Sequence, residues 1–409
     1  MARIALGLLA LIMLPLAGSL WDQGGETSAF WILASCLILT AFVSLGSAVR
    51  LRRSDRPCRR VRRPTRIAVI GSQVSAVALN QELAINRVNS YTSVGWIASA
   101  LAPEPDFPLP QALGGMDELA SLVEQHDIDL LLIGSDVPRL HVFDELVRLM
   151  DTVTVRVCEL SAFYEDAFGH IPVTDINAAW FQYVMHPKFR SAGKRRKRVF
   201  DIVVAVCLGV VVAPLLLLAA LAIKLEGGRV LYSQIRVGEK GRPFTMYKLR
   251  TMCERGVDDD LQVWCSVADP RVTKVGRVLR RLHIDELPQL YNVLRGEMSV
   301  VGPRPEQPAI VSRLEAAIAF YSRRHLLKPG LAGWAQLRCG YARSDGGSAS
   351  KVCHDLYYLK HQSLWFDTVI LARTFFMLAT QVTAHERYER RLSPTLANAV
   401  VAAGESRGA

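Results

Sequence analysis

The sequence has eight cysteines but no CxxC pair and no regular cysteine spacing, so it lacks the ligand pattern of a zinc module. It also lacks any recognition-helix signature for nucleic acid. Acidic residues are in deficit, 38 against 49 lysines and arginines, for a net charge of +11. Such a surplus invites a nucleic-acid reading, but here it is local. Much of it lies at Arg50–Arg63 and Lys194–Arg198, each beside an apolar segment. Cations placed there suit anionic lipid headgroups. The expected partner is membrane lipid, with no nucleic acid, and the cysteines read as reduced structural thiols.

Half of the 409 residues are hydrophobic, and they fall in blocks. Ile4–Leu20 and Ala29–Val49 each approach the roughly 20 residues that cross a hydrocarbon core, with the short acidic loop WDQGGETS between them. The arginine-rich RLRRSDRPCRRVRRP follows. Positive flanks stay on the cytoplasmic side, which places everything downstream in the cytosol. A cleaved signal peptide at Ile4–Leu20 is the alternative, and it leaves that orientation unchanged.

From Thr65 the pattern alternates between strand and helix. RIAVIG, SVGWIAS, DIDLLLIGSD and TVTVRVCEL read as strands, with VSAVALNQELA, GGMDELASLVEQH and DELVRLM as helices. This alternation predicts a parallel α/β sheet. The turn after the first strand, GSQVSA, carries only the first glycine of the dinucleotide fingerprint. The missing second glycine crowds a pyrophosphate, so the expectation is a Rossmann-like module without a bound dinucleotide.

A third apolar segment, Ile202–Ile223, is long enough to span. Pro214 near its middle removes a helix hydrogen bond and favours a kink. Both flanks are basic, with KRRKR before and Lys224, Arg229, Arg236, Lys240 and Arg242 after. These features predict a re-entrant helix that bends at Pro214 and returns to the cytosolic face.

Beyond it, Lys248 and Arg250 lie two residues apart in FTMYKLRTM, hence on one side of a strand. Such a pair can hold phosphate oxygens or be two solvated bases on a surface strand. HIDELPQLYNVLRGEMSVVGPRP places Asp285 as the N-cap of a short helix, Pro288 in its first turn and Gly296 at its stop. Leu287, Leu290, Tyr291 and Leu294 form its predicted apolar face. A helix N-terminus keeps nearby carboxylates ionised, and Arg280, Arg281 and Arg304 bring positive charge close. Asp285 and Glu286 diverge by about 100°, so they cannot clamp a glycosidic bond from opposite faces. They can share one metal or divide nucleophilic and supporting roles.

Residues 194 to 380 resemble the bacterial sugar transferase family, the monotopic polyprenyl-phosphate hexose-1-phosphate transferases. The motifs run in order: KRVFDIVVAVCLGVVVAPLLLLAALAIKLEGG, RVGEKGRPFTMYKLRTM, LRRLHIDELPQLYNVLRGEMSVVGPRPE and KPGLAGWAQL. The N-terminal hairpin and Rossmann-like module resemble the longer members that initiate exopolysaccharide assembly. The resemblance implies transfer of a sugar 1-phosphate from a UDP-sugar to undecaprenyl phosphate, releasing UMP, at the cytoplasmic face of the bacterial inner membrane. It implies Asp285 as nucleophile, Glu286 assisting, and Mg2+ held at this dyad by Asp285 and Glu286. It further implies phosphate contacts from Lys248, Arg250, Arg280 and Arg304. Two departures stand out: Ala213–Pro214 where members often have serine–proline, and RCGYARSDGG after GWAQL. The second leaves the sugar and the role of Arg338 open.

The implied fold class is a membrane α/β protein with transmembrane helices, a Rossmann-like parallel domain and a monotopic phosphoglycosyl transferase domain with a re-entrant helix. The boundaries are 1–50 hairpin, 51–64 basic linker, 65–160 Rossmann-like domain, 161–193 connector, 194–383 transferase domain and 384–409 tail. DLYYLKHQSLWFDTVILARTFFMLAT reads either as an interfacial helix or as a core helix. The sequence leaves open whether the Rossmann-like module regulates, forms a homo-oligomer or takes no part in catalysis. Rival functions are a glycosyltransferase releasing UDP, and a membrane-anchored scaffold with an inactive transferase domain that binds a nucleotide or partner.

Overall fold

A computed structural model describes residues 63–86, 88–98, 111–135, 137, 139–150, 154–172, 192–253, 271–339 and 345–380. The two N-terminal apolar segments, most of the basic linker and the tail from residue 384 lie outside them. The first module alternates β1 (Thr65–Gly71), α1 (Gln73–Asn86), β2 (Tyr91–Ala98), β3 (Ala112–Gly115), α2 (Leu119–Gln125), β4 (Leu130–Ile133), α3 (Arg139–Met150), β5 (Arg156–Glu159) and α4 (Leu160–Phe168). Its five strands are all parallel and ordered β3-β2-β1-β4-β5. The central strand β1 is nearly all apolar because both its faces are covered. Ile67 and Val69 pack toward α1 and α4, whereas Ala68 and Ile70 pack toward α2 and α3.

Two details depart from the sequence reading. Strand β3 is four residues long and contains two glycines, too short and too plain to show period-two alternation. Residues 161–168, read as connector, form most of α4, which buries Leu160, Phe163, Tyr164 and Phe168 in the module's core. In the GSQVSA turn, the Ser72 hydroxyl accepts a hydrogen bond from the Ser75 amide (3.3 Å), capping α1 where dinucleotide-binding chains keep bare backbone.

The second half begins with α5 (Ala192–Leu225), a 34-residue helix that continues through Pro214 without a helical break. Among the described residues it is the one helix long and apolar enough to cross a membrane, and only 11% of its apolar window is buried. Both of its ends are nonetheless fixed to the same body. Arg198 donates to the carbonyls of Val293 (2.5 Å) and Leu294 (2.6 Å), and Asp201 accepts from the Ser299 hydroxyl (2.9 Å) and the Val300 amide (3.2 Å). At the other end Ala219 and Ile223 are buried with Leu249, Leu279 and Ile284. Between them Val210, Val211, Leu215, Leu217, Leu218 and Leu221 are exposed.

There follow the hairpin β6 (Leu231–Val237) and β7 (Pro243–Leu249), α6 (Lys274–Arg281), α7 (Gln289–Arg295), β8 (Ser299–Val301), α8 (Pro308–Ala317), β9 (Gly330–Ala332), α9 (Trp334–Cys339), α10 (Asp345–His361) and α11 (Leu364–Thr380). Strands β8 and β9 pair in parallel and cross almost backbone on backbone. A Cβ on Gly330 would lie 2.0 Å from the Gly302 nitrogen, and one on Gly302 would lie 2.3 Å from the Lys328 oxygen. Only glycine fits there. The aromatic C-terminal stretch packs into the core, as the second of its readings expects. Helix α11 buries Val369, Ile370 and Ala372 but exposes Trp365, Phe375, Phe376 and Leu378.

The two halves meet through α4. The Trp334 indole donates to the Gly169 carbonyl (2.7 Å), and Arg338 donates to the Phe168 carbonyl (2.7 Å). Glu165 accepts from Lys360 (2.7 Å) and pairs with His361 (2.8 Å). Gly169 caps α4 in the left-handed region (φ 69°), and an added Cβ would press on the Trp334 ring at 3.1 Å. Gly169→Ala should therefore lower the thermal midpoint, at a cost of about 1–2 kcal/mol for the left-handed alanine alone. Gly169→Asn, which tolerates that conformation better, should lose less.

Candidate active site

Helix α6 starts where the Thr273 side chain accepts from the Gly276 amide (2.8 Å). It ends at Arg281, and His283 then turns the chain through the left-handed region (φ 54°). Asp285 and Glu286 occupy the single 3-10 turn Ile284–Glu286 that follows. The cause of that tight turn is Pro288. An α-helix would pair the Ile284 carbonyl with the amide of residue 288, which proline lacks. The carbonyl accepts instead from Leu287, three residues on (3.2 Å).

This corrects the capping expectation, because Asp285 makes no N-cap bond and Pro288 itself stands at the N-cap of α7. Gly296 ends α7 as expected, in the left-handed region (φ 83°). The buried face of α7 is also different. Gln289, Leu290, Asn292 and Val293 are buried, whereas Tyr291 and Leu294 are 54% and 41% exposed. Asn292 explains the rotation: its amide donates to the Thr245 carbonyl (2.7 Å) and its oxygen accepts from the Tyr247 amide (3.2 Å), stitching α7 to β7.

Glu286 lies between two cations. Arg304 grips both of its oxygens, Nη2 to Oε1 at 2.6 Å and Nη1 to Oε2 at 3.2 Å, and Lys248 Nζ donates to Oε1 at 3.0 Å. A two-pronged guanidinium fixes direction as well as charge. Burial by itself raises the Glu286 carboxyl, but Arg304 and Lys248 outweigh it and hold the group well below the usual carboxylate range. Burial likewise lowers the Lys248 ammonium, against the opposite pull of Glu286. Asp285 differs. It is buried, and burial followed by the neighbouring Glu286 charge raises its carboxyl above the ordinary value, while Lys248, His283 and Arg280 work the other way. The two acids are thus pushed apart in acidity, the usual sign of divided roles.

The structure brings Lys248, Asp285, Glu286 and Arg304 together. Arg280 lies close enough to act on Asp285 electrostatically and is oriented by a bond from its Nε to Thr251 (2.8 Å). Arg250 does not join them. It lies past the end of β7, where its guanidinium donates to the Gly227 carbonyl (2.6 Å) and fills the space beside Gly228. The strand alternation that paired it with Lys248 therefore stops one residue too soon. Arg338, left open by the sequence, is tied to the first module instead.

Arg236, read from the sequence only as part of the basic flank of the apolar segment, belongs to the site. It donates to the Pro305 carbonyl (3.2 Å) and lies 3.6 Å from Glu306, bracing the loop that carries Arg304. The signal was period two: Tyr232, Gln234 and Arg236 share a face of the hairpin with their partners Lys248, Met246 and Phe244.

With both Glu286 oxygens engaged by Arg304 and Lys248, Glu286 is the less available of the two acids for the expected cation. Among the described residues no group of three or more His, Cys, Asp or Glu side chains is placed to hold a metal ion. The donor set does fit a cation held by Asp285 together with phosphate oxygens of a substrate, the mode magnesium favours.

The bacterial sugar transferase profile matches residues 192–381. An Aeromonas hydrophila UDP-N-acetylgalactosamine-undecaprenyl-phosphate N-acetylgalactosaminephosphotransferase is 45% identical over 185 residues, 45% of this chain and 44% of that protein. A Caulobacter vibrioides UDP-glucose:undecaprenyl-phosphate glucose-1-phosphate transferase is 43% identical over 58% of this chain and 91% of its own length. The exopolysaccharide production protein ExoY of Rhizobium meliloti is 39% identical over 45% of this chain and 86% of its own length. The chain thus spans less than half of the Aeromonas relative but most of the two shorter ones. The matched segment contains the dyad and its two cations, and with a relative 43% identical and covered over 91% of its length the chain belongs to the bacterial sugar transferase family.

Proposed function

We propose that this protein transfers a sugar 1-phosphate from a UDP-sugar to undecaprenyl phosphate, releasing UMP and starting an exopolysaccharide or related surface glycan. The observation that carries the reading is the unequal dyad: Glu286 locked by Arg304 and Lys248, with Asp285 buried beside it and not so locked. The Asp285 carboxylate attacks the sugar-linked phosphorus, the bond to the bridging oxygen breaks, and UMP leaves with that oxygen. A phosphate oxygen of undecaprenyl phosphate then attacks the same phosphorus, the aspartyl bond breaks, and the carboxylate is regenerated. Covalent catalysis of this kind divides one hard displacement into two easier ones. Magnesium, when bound against Asp285 and the diphosphate, supplies neutralisation of the charge on the phosphate oxygens. Lys248 and Arg304 hold Glu286 rigid and keep positive potential at the phosphate, and Arg280 adds to it.

The lipid substrate fits the exposed apolar stretch of α5. Its two ends pack on one body, which supports the re-entrant reading over a span, with Pro214 bending the helix and not breaking it. The catalytic half then lies at the inner, cytoplasmic face of the bacterial inner membrane. The dyad lies near the second end of α5, since Ile284 shares one buried cluster with Ile223.

The test is to incubate the membrane-bound protein with a panel of UDP-sugars, undecaprenyl phosphate and magnesium. Release of UMP together with a lipid-linked sugar diphosphate is the expected result. Release of UDP, or of no nucleotide with any sugar, would overturn the proposal.

A further inference from the structure

Behind Arg304 lies a second buried charge cluster that the transfer chemistry does not use. Arg324 is 4% exposed, Tyr321 2% and Asp355 1%. The Arg324 guanidinium contacts three groups. Nη1 donates to the Tyr321 hydroxyl (2.8 Å), Nη2 donates to the main-chain carbonyl of Arg304 (3.0 Å), and Nη2 also forms an ion pair with Asp355 (2.9 Å). A buried ion pair is a poor device for stability alone, because apolar groups of equal volume fill the same space without the desolvation cost. A guanidinium does what an apolar group cannot: it reaches in fixed directions to several acceptors at once.

We infer that Arg324, held by Asp355 and Tyr321, is a positioning residue that fixes the main chain of Arg304 and thereby aims the Arg304 side chain at Glu286. The inference deepens the proposed transfer reaction and rests on it. Arg304 stands between Pro303 and Pro305. On one side its loop is pinned where the Gly330 amide donates to the Pro303 carbonyl (2.8 Å). On the other, Arg236 holds Pro305. The Arg304 carbonyl lies between these anchors, and Arg324 holds it. Loss of that bond frees the peptide plane directly attached to the residue whose two-pronged grip orients Glu286.

A double-mutant cycle tests this, using the full chain in lipid nanodiscs with Arg324→Lys, Glu286→Gln and both together. Lysine keeps a charge for Asp355, but its single nitrogen cannot stand at the Nη1 and Nη2 positions at once. Arg324→Lys alone should lower kcat by roughly 30- to 100-fold, the scale of an ångström-level misplacement. In the Glu286→Gln background it should add less than about threefold, because residues acting through one another are not additive. Multiplying effects of the two substitutions on kcat, with equal losses of thermal midpoint in both backgrounds, would overturn the inference and leave Arg324 a packing residue. If Arg324→Lys is not recovered folded, Tyr321→Phe removes one anchor and is carried through the same cycle. Folded wild-type protein that releases no UMP from any UDP-sugar refutes the reaction instead. The positioning claim is then judged on thermal midpoints, where Arg324→Lys must cost less with Glu286→Gln than without it.

Discussion

Asp285→Asn is expected to lower UMP release by roughly 10,000-fold or more, the range found when the attacking group of a covalent mechanism is removed, and to abolish any phosphosugar adduct on the protein. Asparagine has the same shape, so the 3-10 turn and the Arg304–Glu286 grip should persist and the thermal midpoint should change little. The pH dependence follows from the raised pKa of Asp285, caused by burial and then by the Glu286 charge. A protonated carboxyl cannot attack phosphorus, so the rate should fall as pH is lowered through that raised value. Glu286→Gln removes the adjacent negative charge that helps to raise it, which should move the acid limb of the remaining activity to lower pH. An asparagine variant that retained turnover, or an adduct mapped to another residue, would remove the basis of the covalent route.

The largest effect on folding is expected at Lys197. Its ammonium is shared by two buried carboxylates, Asp201 at 3.0 Å and Asp367 at 2.9 Å, whose side chains are 3% and 0% exposed. This pairing fastens α5 to α11, and the Tyr358 hydroxyl donates to the far oxygen of Asp367 (2.6 Å). Lys197→Met would leave two like charges facing each other without a cation, a loss of about 3–5 kcal/mol. Burial already raises the Asp367 carboxyl despite Lys197, and without the lysine it rises further. Protonation in the folded state is then favoured over the unfolded chain, so the variant should regain stability as pH falls, the reverse of a normal paired aspartate. The measurements are yield of folded protein and thermal midpoint against pH. Adding Asp367→Asn should restore part of the loss near neutral pH.

The parallel module was legible because its signals are periodic: apolar runs such as Ile67–Ile70 alternate with helical stretches over spacings that leave few topologies. The dyad was legible as two adjacent acids before a proline. Its local geometry was misread because a capping pattern and a proline-forced 3-10 turn look alike in one dimension. The decisive fact was a missing amide at residue 288. Glu286's partners were legible only as nearby charge. Lys248 is 38 residues away and Arg304 is 18, so which cation meets which acid is settled by tertiary packing. Arg236 read as a flanking cation and Arg324 was lost among 49 basic residues, since nothing local separates a buried guanidinium from a solvated one.

The junction between the halves leans on main-chain oxygens. Trp334 and Arg338 donate to the carbonyls of Gly169 and Phe168, groups that every amino acid presents. Natural variation along that rim can therefore proceed on one side without a matching change on the other, provided the turn keeps its left-handed corner. Swapping the front module of this protein for one from a distant relative then asks for a bend in the backbone and for one acidic side chain, Glu165, to meet Lys360 and His361.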